Sequence, residues 1–82
     1  MATILQTITI RLFAGLEART AERRSSYEIP LAEAPTVGLL GARLGLQPGA
    51  VGLVLVNGLH AAGDHELVAG DEVSLFPPLG GG

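Results

Sequence analysis

The sequence contains no cysteine and no tryptophan, and its aromatic residues are two phenylalanines and one tyrosine. Without cysteine there is no disulfide, no thiolate nucleophile and no zinc–thiolate site. Lysine is absent too, since the five basic residues are all arginines: Arg11, Arg19, Arg23, Arg24 and Arg43. That excludes Schiff-base catalysis and the attachment of another protein to a side-chain amine of this chain. No apolar run approaches the roughly 20 residues that span a bilayer. No basic segment followed by an apolar stretch marks a secretory signal, so a cytoplasmic location is expected.

What is present fits one small folded domain. The chain has 82 residues, 48% of them hydrophobic and 16% charged, which is too apolar for disorder. A chain of this length buries only about 60–65% of the surface its unfolded form exposes, and it has no staple, so packing alone must hold it. The charge is uneven. Residues 1–43 carry the five arginines against Glu17, Glu22, Glu28 and Glu33, whereas residues 44–82 carry Asp64, Glu66, Asp71 and Glu72 and no base. An acidic C-terminal half argues against nucleic acid, which needs Lys or Arg to replace counterions. It suits a protein partner with a basic groove.

Ile8, Ile10 and Leu12 alternate with Thr7, Thr9, Arg11 and Phe13, the period of a half-buried strand. Residues 14–24 are read as a polar turn and loop. Ser25 to Ile29 is read as a second strand, closed by Pro30. From Thr36, a candidate N-cap, the pattern turns helical, with Val37, Leu39, Leu40 and Leu44 on one face. Gly38 and Gly41 weaken that helix by roughly 1 kcal/mol each relative to alanine, and Gly45 is a stop. Leu53–Val56 is an unbroken apolar run that reads as a buried strand, and Asn57-Gly58 after it predicts a type I′ turn into a short return strand, Leu59 to Ala62. Val73–Phe76 is the last strand, stopped by Pro77 and Pro78. These elements predict an α+β roll, a small mixed sheet with one helix on one face and with the first and last strands central and parallel.

One helix covers one side of such a sheet. Ile8, Ile10, Leu12, Val73 and Leu75 would face it. The alternation then puts both phenylalanines, Phe13 and Phe76, on the uncovered side, where an aromatic patch marks a contact surface. The alternative is that the loop at 14–24 folds over them, or that the register slips by one.

The chain ends Ala69-Gly70-Asp71-Glu72-Val73-Ser74-Leu75-Phe76-Pro77-Pro78-Leu79-Gly80-Gly81-Gly82, preceded by Val56-Asn57-Gly58 and Asp64-His65-Glu66-Leu67. This pattern resembles the ubiquitin-like sulfur carriers, and among them the small subunits of molybdopterin synthase. Leu12-Phe13-Ala14-Gly15-Leu16 and Thr36-Val37-Gly38-Leu39-Leu40 fit it as well. The resemblance is strongest over residues 54–82 and looser over 17–35 and 45–52. It implies a β-grasp fold of four to five strands over residues 1–76 and a flexible tail over 77–82. By position, Gly81 and Gly82 match the family's terminal diglycine, and Gly82 is the residue whose carboxylate becomes a thiocarboxylate. Phe13 and Phe76 match apolar positions that dock partners. His60 stands where those relatives carry an apolar residue, and Gly80 where many carry a side chain. The implied partners are an E1-like adenylating enzyme, a sulfur donor protein and the larger synthase subunit. The chain alone would hold no complete active site and no bound cofactor, ATP being used by the activating enzyme. Its implied task is sulfur donation in the biosynthesis of a molybdenum or tungsten pterin cofactor. A carrier for thiazole or another sulfur metabolite, a protein modifier joined through Gly82, and a plain binding module remain as alternatives.

The chemistry accounts for the residue types. A terminal carboxylate with a pKa of about 3.5 is ionised at neutral pH and is a poor electrophile. Transfer of AMP from ATP makes it a mixed anhydride, and a sulfide or persulfide can then displace AMP. The chain has no Gly-Lys-Ser/Thr phosphate loop, so the nucleotide site must belong to the activating enzyme. Glycine at the end has no Cβ to obstruct a narrow channel. Pro77 to Gly82 can extend about 20 Å. Pro77 and Pro78, with φ already fixed, lower the roughly 1–2 kcal/mol per residue that ordering costs. His60, Asp64, His65 and Glu66 lack a ligand scaffold, so no metal site is read there.

Overall fold

A computed structural model of the chain describes residues 6–79. The sheet has five strands: β1 (Thr7–Leu12), β2 (Ser26–Pro30), β3 (Leu53–Val56), β4 (Leu59–His60) and β5 (Glu72–Phe76), in the spatial order β2-β1-β5-β3-β4. Strand β1 pairs with β5 in parallel, from Thr9 opposite Glu72 to Leu12 opposite Leu75. The other pairings are antiparallel. The expected β-grasp roll is therefore the fold, with the first and last strands at its centre.

Alternation along the two central strands sets the core. Ile8, Ile10, Leu12, Val73 and Leu75 are all at most 4% exposed. Tyr27 and Ile29 of β2 and Val54 and Val56 of β3 extend the same buried face. Asn57 and Gly58 both have positive φ, 52° and 84°, as the type I′ turn between β3 and β4 requires. The return strand is shorter than expected, ending at His60, although the Ala61 amide still donates to the Val54 carbonyl.

The helix is where the structure departs most from the reading. Instead of one helix from Thr36 to Leu44, the chain makes a 3-10 turn (Val37–Leu39) and a single α-turn, α1 (Leu40–Arg43). Thr36 makes no side-chain cap; its backbone forms a bridge with Glu66. The amides of Val37 and Gly38 donate to the carbonyls of His65 and Gly63, and Leu67 donates back to Pro35. Two glycines lower helix propensity here, and the amides that a first helical turn leaves unpaired are satisfied by residues 63–65 instead. Leu39 is consequently 48% exposed rather than on the core face with Val37, Leu40 and Leu44. The stop at Gly45 holds, with φ +79°.

Residues 14–24 also differ from the expected polar loop. They contain a 3-10 turn, Leu16–Arg19, and Leu16 is completely buried. Thr20 is buried with its hydroxyl accepting from the Tyr27 hydroxyl at 2.6 Å and donating to the Glu17 carbonyl at 3.0 Å. The second strand runs one residue later than expected and includes Pro30. That position is tolerated because β2 is an edge strand and proline lacks only a donor.

One polar cluster ties the turns to the sheet. Asp71 is 6% exposed, and its carboxylate accepts from Asn57 Nδ2 at 2.9 Å and from the Val68 amide at 2.8 Å. Asn57 Oδ1 in turn accepts from the Glu72 amide at 2.9 Å. The hairpin turn is thereby fastened to the start of β5. Asn57→Gly keeps the positive φ and removes only these side-chain bonds. It is expected to lower stability by about 1–3 kcal/mol in a urea titration, the cost of leaving a buried acceptor short of donors.

Candidate functional site

The side of the sheet away from the core holds Phe13 and Phe76. Phe76 closes β5, and Phe13 follows β1, its amide donating to the Leu75 carbonyl at 3.0 Å. Because β1 and β5 run parallel and in register, their ends lie side by side. The two rings stack with centroids 5.0 Å apart and an interplanar angle of 15°. Phe13 is 40% exposed and Phe76 is half-buried. The segment 14–24 sends Leu16 into the core rather than folding over the rings, so the pair stands on an accessible face.

The register adds neighbours that the sequence reading missed. Leu53 of β3 lies opposite Phe76, and Leu55 lies opposite Ser74. Directly opposed residues share a face of the sheet, so both leucines join the phenylalanines, and both are half-buried. The run Leu53–Val56 looked buried on both sides, but only Val54 and Val56 enter the core. The signal was present in the parity of the strand, once Val54 is set inward. His60, on edge strand β4, lies opposite Leu55 and is exposed. Arg11 and Glu72 flank the patch as an exposed ion pair at 3.4 Å, which contributes little to stability in water. The structure thus brings Phe13 and Phe76 into contact and puts His60 at the edge of the same face.

The tail leaves from this face's end. Pro77 and Pro78 follow Phe76 directly and make no strand. Pro77 is half-buried and Pro78 exposed, and Leu79 is 94% exposed. Gly80, Gly81 and Gly82 lie outside the described residues. A second glycine that sequence reasoning passed over backs the tail root: the Gly52 amide donates to the Phe76 carbonyl at 2.7 Å. Its need for glycine depends on what lies opposite it, and no local pattern carries that. Among the described residues, no three His, Cys, Asp or Glu side chains are grouped so as to hold a metal ion, and no helix is long and apolar enough to cross a membrane.

The arrangement is a partly exposed apolar patch with a Pro-Pro segment leaving its edge. Residues 10–82 match the ThiS family model, and the chain belongs to this ubiquitin-like sulfur-carrier family. Among solved structures it is similar to SAMP1 from Haloferax volcanii. The two share 31% identity over 93% of this chain and 99% of that one, with a TM-score of 0.67. It is also similar to a putative molybdopterin converting factor, subunit 1, from Pyrococcus furiosus, at 26% identity over 89% of this chain and 98% of that one, with a TM-score of 0.67. A third likeness, of fold alone, is to a chain in the complex of subunits 1 and 2 of molybdopterin-converting factor from Helicobacter pylori. There the identity is 23%, the coverage 93% of this chain and 99% of that one, and the TM-score 0.59. No curated protein matches the sequence.

The stacked pair makes a quantitative expectation possible. A double-mutant cycle with Phe13→Ala and Phe76→Ala, read by chemical unfolding, should give a coupling of about 0.5–1.5 kcal/mol, the worth of an aromatic pair beyond its buried area. A coupling near zero would mean the rings do not stack in solution.

Proposed function

We propose that this chain is a sulfur carrier that works through Gly82 and serves as the small, sulfur-donating subunit of a molybdopterin synthase. The observation that carries the reading is the stacked Phe13–Phe76 pair, exposed at the root of a tail reading Pro-Pro-Leu-Gly-Gly-Gly. The rings supply a docking anchor and the tail supplies reach, so the domain can remain outside a partner while its end enters a buried site.

In the first step a carboxylate oxygen of Gly82 attacks the α-phosphorus of ATP on an E1-like adenylating enzyme. The acyl-adenylate forms and pyrophosphate leaves. Sulfide then attacks the acyl carbon and AMP leaves, which gives the thiocarboxylate. Where a sulfur donor protein presents a persulfide instead, AMP leaves to give an acyl disulfide, and a second thiol attacks the donor-side sulfur, forming a disulfide with it and releasing the thiocarboxylate. ATP is a co-substrate of the activating enzyme and no cofactor stays with this chain. The larger synthase subunit then receives the tail, and the thiocarboxylate sulfur passes to a pterin intermediate as water cleaves the acyl–sulfur bond and Gly82 returns to the carboxylate. Support for that partner comes from the Helicobacter pylori complex, in which a chain of this fold occurs in an assembly of subunits 1 and 2. Phe13, Phe76 and His60 would meet both partners in turn, and the acidic C-terminal half favours basic surfaces on them.

A second reading is a protein modifier, conjugated through Gly82 to lysines of other proteins. The 31% identity with SAMP1, elsewhere described as small archaeal modifier protein 1, supports it.

Intact-protein mass spectrometry after incubation with ATP, a sulfur donor and the adenylating enzyme tests the first reading. The expected result is one oxygen exchanged for one sulfur at Gly82, abolished by deletion of Gly82. Isopeptide-linked Gly82 in cell extracts would favour the second reading instead. Phe76→Asp should weaken binding to the larger subunit by about 30-fold or more, as removal of a central aromatic anchor does. Unchanged affinity by calorimetry would remove the docking role from this face.

A further inference from the structure

We propose that Gly52 is a positioning residue for the tail, a seat that sets the direction in which the chain leaves β5. This rests on the carrier reading for its consequence but not for its geometry. A Cβ on Gly52 would overlap Pro78 Cα and lie 2.7 Å from Pro78 N and 3.0 Å from the Pro77 carbonyl carbon. All three are backbone atoms, so no side-chain rotation could relieve the contact. Gly52 itself does not occupy the left-handed region, so its backbone conformation is open to alanine. The glycine is required by the close approach of another backbone.

The hydrogen bond from the Gly52 amide to the Phe76 carbonyl adds a rung beyond Leu53 opposite Phe76. The tail root is therefore held by that rung, by contact with Gly52, and by the fixed φ of two prolines. Phe76 belongs to the docking face and Pro77 to the tail, so the seat makes the tail's direction a fixed function of how the face is docked. Small errors at the root grow along the tail. A tilt of about 10° displaces the end of an extended tail of ~20 Å by about 3.5 Å. A misplacement of about 1 Å at a reacting centre can cost about 100-fold in rate.

The test compares the full wild-type chain with Gly52→Ala and with the control Gly49→Ala. Gly49 has φ +84° and open space around it, so alanine there strains the backbone without touching the tail. Two measurements are made on each. Nuclear Overhauser contacts between residue 52 and Pro78 report the seat, with amide exchange across β1 and β5 reporting the fold. Pyrophosphate release with ATP and the adenylating enzyme reports tail delivery. The expected result for Gly52→Ala is loss of the native contact pattern at Pro78, retained protection of β1 and β5, and kcat lowered about 10- to 100-fold at nearly constant KM. Gly49→Ala should leave kcat unchanged. Wild-type kinetics for Gly52→Ala would overturn the proposal. So would a rise in KM alone, which would make Gly52 part of the docking face, or an equal loss of kcat in Gly49→Ala, which would trace the effect to stability. A wild-type chain that is never adenylated would overturn the carrier reading and the proposal's consequence, and absent Gly52–Pro78 contacts in that chain would overturn the seat itself.

Discussion

Strands β1 and β5 come from opposite ends of the described chain, and their parallel pairing forces everything between them into one long crossover. Thr9 faces Glu72 and Leu12 faces Leu75, so Ile10, Leu12, Val73 and Leu75 make one apolar stripe at the centre of the sheet. The same register carries Phe13 to the side of Phe76 on the other face. Core and aromatic patch are thus two readings of one ladder. A slip of β5 by one residue would turn Phe76 inward and Val73 and Leu75 out. The turn at Ala69 to Asp71 guards that register: Gly70 donates to Thr7, Thr9 donates to the Asp71 carbonyl, and the Asp71 side chain anchors Asn57.

The strands and the open face were legible in the sequence because period-two alternation assigns each residue a side without reference to anything distant. Ile8-Thr9-Ile10-Arg11-Leu12 and Val73-Ser74-Leu75-Phe76 carry that alternation plainly, and Asn57-Gly58 names its own turn. The helix was less legible. Thr36, Val37 and Gly38 look like a helix start locally, but their backbone is taken up by pairing with residues 63–66, a partner thirty residues away that no window contains. Leu16 was hidden in a polar stretch for the same reason. Its burial depends on the sheet beneath it. Leu53 and Leu55 were masked by a run with no polar residue to show parity.

The chemistry proposed at Gly82 rests on resemblance to a family, because a terminal glycine has no side chain to argue from. What the structure adds is upstream of it: two stacked rings, a pair of half-buried leucines, and a glycine backed against two prolines. These depend on contacts between elements far apart in sequence.

Strand β5 lies between β1 and β3 and bonds to both, and the tail is its direct continuation. A pull on the tail along the strand therefore loads two ladders at once, in shear, rather than opening one of them rung by rung. The element at the centre of the sheet is also the one attached to the handle.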